Sequence, residues 1–404
     1  MMKFNKNILV FVFCAVFIIA GIWGNCFDQL TEKTIDLAKG IKHGNLSSIS
    51  DFKNAVDDIS NKQLSYHDGM MDLNSIKENV LGTRVVKKED STIVKADSGS
   101  LICPAELVPQ ADINEMIDSV SKLKKVSEEN GAKFLYCAAP RKEYYETAPA
   151  NINNYFKQKY TAFLSQLKQK NIPYLDYVAA LKRNNLSDNS IYYNTDHHWT
   201  AYAGFVAAKS LCEELESKYG FSYNQSYADI NQYNIKTYRN CFLGSRGKKV
   251  GTFFTWNGAD DFDLITPKFK TDMTEEQPFK GEIRNGDFKN TVLYMDNLRK
   301  SFYKLSAYAT YSGGDFRLQI MKNNLNQNGK KILMIRDSYA CVVAPFLSLQ
   351  TSELHLCDMR NSDYHVGKKI NAQEYIKKIK PDYVVVLYSD VTDLAETNGK
   401  YNFF

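Results

Sequence analysis

The fold class predicted by this sequence is α/β, with a mainly parallel sheet, on three observations. From residue 110 onward, apolar runs of strand length alternate with stretches whose apolar residues recur at helical spacing. The strand-like runs are continuously apolar, as strands covered on both faces are, and helices between them argue for parallel neighbours. The chain has 404 residues, 44% of them hydrophobic, enough for one large domain with additions or for two domains.

Ile113, Met116, Ile117, Val120, Leu123 and Val126 share one helical face, with Asp112 as the expected N-cap and Gly131 as the stop. Lys133–Ala138 then reads as a buried strand ending at Pro140. Tyr155, Tyr160, Phe163, Leu164 and Leu167 mark a second helix, and residues 172–177 a second strand. A long helix follows from Thr200 to Tyr219, closed by Gly220. Residues 221–330 alternate short β-like pieces and turns, and read as an insertion elaborating the sheet rather than a separate domain. The regular pattern returns with a strand at Lys331–Ile335, a helix after Ser338 and a strand at Glu353–Leu356. A helix over Ala372–Ile379 leads to the last strand, Tyr383–Leu387.

The N-terminus has a different texture. Lys3 and Lys6 precede an uncharged apolar run from Ile8 to Trp23, and Asp28 and Glu32 follow it. About 17–25 apolar residues span a bilayer, so this run sits at the short edge of the range. Its flanking lysines orient that end toward the cytoplasm, which puts everything after residue 26 outside it. A cleaved signal peptide would want a small-residue exit, and a lipoprotein a small residue before its cysteine; residues 22–26, Ile-Trp-Gly-Asn-Cys, fit neither well. Residues 1–26 are therefore expected to be a membrane anchor, with a single-pass topology. Residues 27–109 are expected to form a stem and entry region, with a short helix over 30–41 and β-rich pieces near 83–86 and 91–94.

Net charge is +5, with no basic stripe or nucleic-acid motif, so nucleic acid is not an expected partner. The chain holds 26 Tyr and 23 Phe, a load that suits either a carbohydrate-facing cleft or a Tyr-rich surface. Its eight cysteines form no C-x-x-C pair, so no zinc site is expected; Cys137, Cys212 and Cys341 read as core residues.

Two segments carry chemistry. Asp196-His197-His198-Trp199-Thr200 opens the long helix, and Arg336-Asp337-Ser338-Tyr339 follows the strand at 331–335. Carboxylate, imidazole and serine hydroxyl are the parts of an activated oxygen nucleophile. With one residue between them, Asp196 can accept from Nδ1–H of His198 and leave Nε2 for a serine proton. His197 is expected to point elsewhere. Trp199 would wall the site against water. Set against this, Ser338 could simply cap its helix. Asp196 could cap the helix beside two surface histidines, or join them in binding a metal.

Asp196–Thr200 matches the name-giving pattern of the DHHW family and resembles the Asp-x-His-Trp signature of alginate O-acetyltransferase-type proteins. These are a branch of the SGNH hydrolase-like superfamily. Residues 331–339 are similar to that superfamily's nucleophile block. Pro140-Arg141-Lys142 resembles a Pro-x-Lys segment of these relatives, and residues 311–315, Tyr-Ser-Gly-Gly-Asp, a Gly-Gly-Asp segment of DHHW proteins. The resemblance implies a three-layer α/β/α SGNH-like domain over residues 110–404. It implies Ser338 as nucleophile, His198 as base and Asp196 as its orienting carboxylate. Trp199, Arg141, Lys142, Tyr339, Gly313 and Gly314 are expected at the substrate, with either glycine a candidate oxyanion donor.

The expected function is O-acetylation of an envelope or secreted polysaccharide by an extracytoplasmic, membrane-anchored enzyme that needs no cofactor. A multi-span membrane O-acyltransferase would present the acetyl group. An acetylesterase with the same triad, and an idle glycan-binding or assembly protein, are the alternatives.

Overall fold

The computed structural model describes residues 67–255, 257–298, 303–361, 366–389 and 399–404. The expected membrane anchor and the helix at 30–41 lie outside these residues. Among the described residues no helix is long and apolar enough to cross a membrane. Two compact units divide the chain, residues 1–81 and 82–404. In the first, helix α1 spans His67–Val80.

The second unit opens with three short antiparallel strands, β1 (Val85–Lys87), β2 (Thr92–Lys95) and β3 (Leu101–Ile102). This stretch falls in the expected stem and entry region. β3 is tied to later residues: Leu101 N–H donates to the Asn194 carbonyl at 2.8 Å, and Ile93 and Leu101 are buried against Val250 and Phe254.

Helix α2 (Gln110–Glu129) starts at Pro109, whose fixed φ suits a helix entry, and ends before Gly131 at φ +83°, a conformation glycine adopts without strain. Next come β4 (Lys133–Ala138), α3 (Phe156–Gln169), β5 (Tyr174–Asp176) and α4 (Tyr177–Arg183). β5 is shorter than expected because Asp176 leaves the strand to cap α4, accepting from Val178 N–H. After α5 (Asp188–Ile191), the long helix α6 (Ala201–Tyr219) begins at a Thr200 cap and closes on left-handed Gly220.

Residues 221–330 contribute β6 (Tyr233–Phe242), α7 (Ser245–Val250), β7 (Asp260–Pro267), β8 (Met273–Gln277), β9 (Glu282–Gly286), α8 (Phe288–Val292) and β10 (Leu318–Asn323). The chain finishes with β11 (Lys331–Arg336), α9 (Ala344–Ser348), β12 (Glu353–Asp358), α10 (Ala372–Ile379) and β13 (Tyr383–Tyr388).

The main sheet has eight strands in the order β5-β4-β13-β11-β12-β10-β8-β9. Its first five are mutually parallel, while β10, β8 and β9 add on antiparallel. The sheet is thus mixed, a parallel part of five strands extended by three antiparallel ones. The three added strands come from the 221–330 region, which widens the sheet. β8 alternates buried and half-buried residues and β9 is largely exposed, the pattern of a sheet margin.

Side-chain alternation sorts the two faces into separate cores. Ile332 and Met334 of β11 pack with α4, α6 and α9, whereas Leu333 and Ile335 pack with α2, α3 and α10. The same alternation along β13 and β4 gives an α/β/α sandwich. The carboxyl ends of β11 and β12, where such sheets place ligands, carry Arg336-Asp337-Ser338 and Asp358.

Candidate active site

β11 runs directly into a 3₁₀ turn over Ser338–Val342. Its cap is Asp337, not Ser338: one Asp337 oxygen accepts from Tyr339 N–H at 3.0 Å, the other from Ser389 N–H and Oγ at 2.8 and 2.9 Å. That arrangement frees the Ser338 hydroxyl. The hydroxyl lies 2.7 Å from His198 Nε2, joining residues 140 apart in the chain.

On the other side of the ring, His198 Nδ1 lies 2.5 Å from Asp196 Oδ1. The same oxygen accepts His198's own N–H at 2.9 Å, and Oδ2 accepts Ser245 N–H at 2.6 Å. Asp196 and His198 are both buried. Burial alone would raise the Asp196 pKa. The charges of His197 and His198, and the donors from His198 and Ser245, outweigh it and hold the carboxyl well below its usual range. An ionised carboxylate therefore faces the base.

Packing fixes the imidazole plane. The Tyr308 ring stacks on His198 at 3.9 Å between centroids and 13° between planes, and its hydroxyl donates to the Ser338 carbonyl at 3.0 Å. Sequence reasoning missed Tyr308, and no local signal marks it. The floor of the loop was missed as well. Asp260 accepts from Asn194 N–H at 2.7 Å and from both N–H and Oγ1 of Thr195, the latter at 2.5 Å. Thr195 Oγ1 in turn accepts Gly244 N–H at 2.8 Å. Gly204 lets α6 approach the nucleophile turn, since a Cβ there would stand 2.8 Å from Val342 Cβ.

Residues 103–237 match the family model described as the SGNH hydrolase-like domain of the acetyltransferase AlgX. Among solved structures, a DHHW family protein from Eubacterium siraeum is similar at 20% identity and TM-score 0.54, covering 75% of this chain and 91% of that one. Bacillus cereus PatB1, solved with a sulfonyl adduct, is similar at 18% identity and TM-score 0.61, covering 79% and 99%. The fold is SGNH hydrolase-like. No protein among the curated ones matches the sequence significantly.

Within this SGNH hydrolase-like frame, three residues expected at the substrate are buried. Trp199 is fully buried, edge-on to Tyr177, and its Nε1–H donates to the Tyr339 carbonyl at 2.9 Å. Tyr339 is buried too, its hydroxyl donating to the His197 carbonyl at 2.5 Å. Together the two bolt the base loop to the nucleophile turn. Lys142 lies beneath, with Nζ donating to the carbonyls of Leu101 and Asn194 at 3.0 and 2.7 Å.

Arg141 is half-buried and faces Glu143, with Nε 3.4 Å from its carboxylate. Gly313 and Gly314 take positive φ, +74° and +111°. The Gly314 carbonyl accepts from Arg336 Nη2 and Cys341 Sγ. Gly313 packs on the Tyr294 ring.

His197 does not point away. Its ring stands 3.8 Å from that of His198, and its Nδ1 pairs with Ser245 Oγ at 2.9 Å. Asp196, His197 and His198 thus hold ligand-type atoms within 4.8 Å of one another. These atoms are already engaged: Asp196 with His198 and Ser245, His198 Nε2 with Ser338, His197 Nδ1 with Ser245. Ser338, His198 and Asp196 thus form one hydrogen-bonded chain from hydroxyl to imidazole to carboxylate.

Proposed function

We propose that the chain is an extracytoplasmic O-acetyltransferase acting on a polysaccharide, with Ser338, His198 and Asp196 as its catalytic triad. The 2.7 Å approach of Ser338 Oγ to His198 Nε2, with ionised Asp196 behind it, carries this reading. Ser338 Oγ attacks the acetyl carbonyl while its proton passes to His198 Nε2. The tetrahedral intermediate collapses, the donor's leaving group takes that proton, and acetyl-Ser338 remains. A sugar hydroxyl then gives its proton to Nε2 and attacks the ester carbonyl. Ser338 leaves with the proton and the acetylated sugar departs. Asp196 holds the Nδ1–H tautomer throughout and balances the imidazolium as it forms.

The match to the acetyltransferase family model supports transfer over hydrolysis. In this reading the apolar run at 8–23 anchors the chain, and a multi-span membrane O-acyltransferase delivers the acetyl group to the outer face. The test is to incubate the full chain with 4-nitrophenyl acetate and weigh the intact protein. One acetyl group gained by wild type and absent from Ser338→Ala is the expected result. Faster discharge of that adduct by a glycan than by water identifies a transferase. An undiminished adduct in Ser338→Ala removes the nucleophile.

A further inference from the structure

Two imidazoles share one carboxylate oxygen in this site, and the proton transfers described above use only one of them. Asp196 Oδ1 lies 2.5 Å from His198 Nδ1 and 3.7 Å from His197 Nδ1. The two rings stand 3.8 Å apart and are tilted by 37°. Neighbouring rings that bring the same edge to one oxygen carry their opposite edges, the Nε2 atoms, away from it together. The Nε2 of His198 meets Ser338 Oγ there at 2.7 Å.

Exposure separates the two rings. The side chain of His198 is 11% exposed and that of His197 is 32% exposed, while Ser338 is half-buried. A molecule that reaches Ser338 therefore meets His197 on its way. Among the described residues, His197 Nδ1 pairs with Ser245 Oγ at 2.9 Å, and Nε2 is neither paired nor buried.

The chemistry of that free nitrogen follows from its surroundings. Burial first, and then the charge on His198, hold the His197 pKa well below the usual histidine range, and the pull of Asp196 does not offset them. A neutral imidazole carries a single N–H. Ionised Asp196 beside Nδ1, with the Ser245 hydroxyl as acceptor, favours that proton on Nδ1. Nε2 is then a bare lone pair, able to accept a hydrogen bond and unable to donate one to an oxyanion.

The site thus sets two acceptor nitrogens side by side, one of which takes a proton from the attacking hydroxyl. Hydroxyls on adjacent ring carbons match such a pair, since their oxygens stand about 2.8 Å apart, the separation of a hydrogen-bonded O–H···O pair. One water molecule brings a single oxygen and fills only one of the two positions.

We propose that His197 recognises the acceptor, its Nε2 accepting a hydrogen bond from the hydroxyl next to the one that is acetylated, so that the acceptor is a vicinal diol. This assignment rests on the transferase reading above and narrows its acceptor to sugars with two free neighbouring hydroxyls. In the transfer step the attacking hydroxyl gives its proton to His198 Nε2, and its oxygen bonds to the acetyl carbon. The bond from that carbon to Ser338 Oγ breaks, and Oγ takes the proton from Nε2. The neighbouring hydroxyl keeps its own proton and orients the diol against His197.

Discharge of the acetyl-enzyme tests the assignment. The full chain is loaded with 4-nitrophenyl acetate. Loss of the acetyl mass is then timed with cis-cyclohexane-1,2-diol, with cyclohexanol at equal concentration, and with water alone. The diol should discharge wild type about tenfold faster than cyclohexanol, the effect of one added hydrogen bond, against about twofold from counting hydroxyls. His197→Phe keeps a ring against His198 but has no lone pair, so its ratio should fall to about two. His197→Gln returns an oxygen acceptor and should recover part of the preference. A wild-type ratio of about two, or equal ratios in wild type and His197→Phe, overturns the assignment. So does slowing of all discharges in parallel, which is what a residue that only props His198 would give. An adduct that never forms on Ser338 removes the transferase reading and this one with it. An adduct that forms and is discharged alike by both alcohols overturns this one alone.

Discussion

A Cβ on Gly244 would stand 2.5 Å from the Cα of Asp196 and 2.6 Å from its backbone nitrogen. The φ of Gly244, −72°, is open to any residue, so the requirement for glycine is purely one of space. That proximity lets the next residue, Ser245, aim its N–H at Asp196 Oδ2. Asp196 is thus held by a loop that the sequence places far from it.

Gly244→Ala should therefore push the Asp196 loop away from its donor. Misplacement of about 1 Å costs on the order of 100-fold in rate. Overpacking costs roughly 1–3 kcal/mol of stability. Turnover of 4-nitrophenyl acetate beside a urea melt measures both; full activity would mean that the Ser245 contact does not position the acid.

Asp196→Asn keeps the shape of the side chain but loses the charge and favours the wrong His198 tautomer. A drop in kcat of roughly 10³–10⁴-fold is expected, with little change in fold. Acetyl-enzyme formation rates in the two proteins give the comparison, and matching rates would take Asp196 out of the triad.

Trp199→Phe removes the indole N–H from the Tyr339 carbonyl inside the core. The loss should cost about 1–3 kcal/mol. Because Trp199 has no exposed surface, the kinetic effect should fall on kcat and leave KM for the acceptor unchanged. A change confined to KM would return Trp199 to the substrate.

Stability should rise with pH in two separate windows. Burial opposes ionisation of Glu143, but Arg246, Arg141 and the N–H of Cys103 overcome it and hold its pKa at about 2, against 4.5 when free. The unfolded chain then binds more protons between those values, so stability climbs from pH 2 to 4.5 and is flat above. The gain is on the order of 3 kcal/mol. Lys142 is pushed down to about 7, first by burial and then by Arg246. Unfolded chain again binds more protons, here between about 7 and 10.5, and stability climbs across that interval. Urea midpoints against pH should lose the acid slope in Glu143→Gln and the alkaline one in Lys142→Met.

Zinc should inhibit by competition. The ligand-type atoms of Asp196, His197 and His198 are spent on hydrogen bonds, and a cation binding there must break the His198–Ser338 contact. Dialysis against EDTA should leave turnover of the activated ester unchanged. Loss of activity on dialysis, restored by a divalent ion, would make the cluster a metal site.

Much of this was legible in the chain itself. Continuous apolar runs at 133–138, 331–335 and 383–387 announced buried strands, because a strand covered on both faces has no polar face to show. The pairing of Asp196 with His198 was local too, since one intervening residue brings carboxylate and imidazole together on an extended loop.

What needed the tertiary structure was everything set by approach between distant segments. β8 and β9 carry polar residues at a sheet margin, so their antiparallel addition left no apolar signature. Trp199, Tyr339 and Lys142 have side chains as suited to a ligand as to a core, and only burial assigned them to the core. Tyr308 over His198 and Ser245 on Asp196 depend on where separate loops meet. Spacing along a chain encodes contacts within a turn or two, and contacts across the fold are decided by packing.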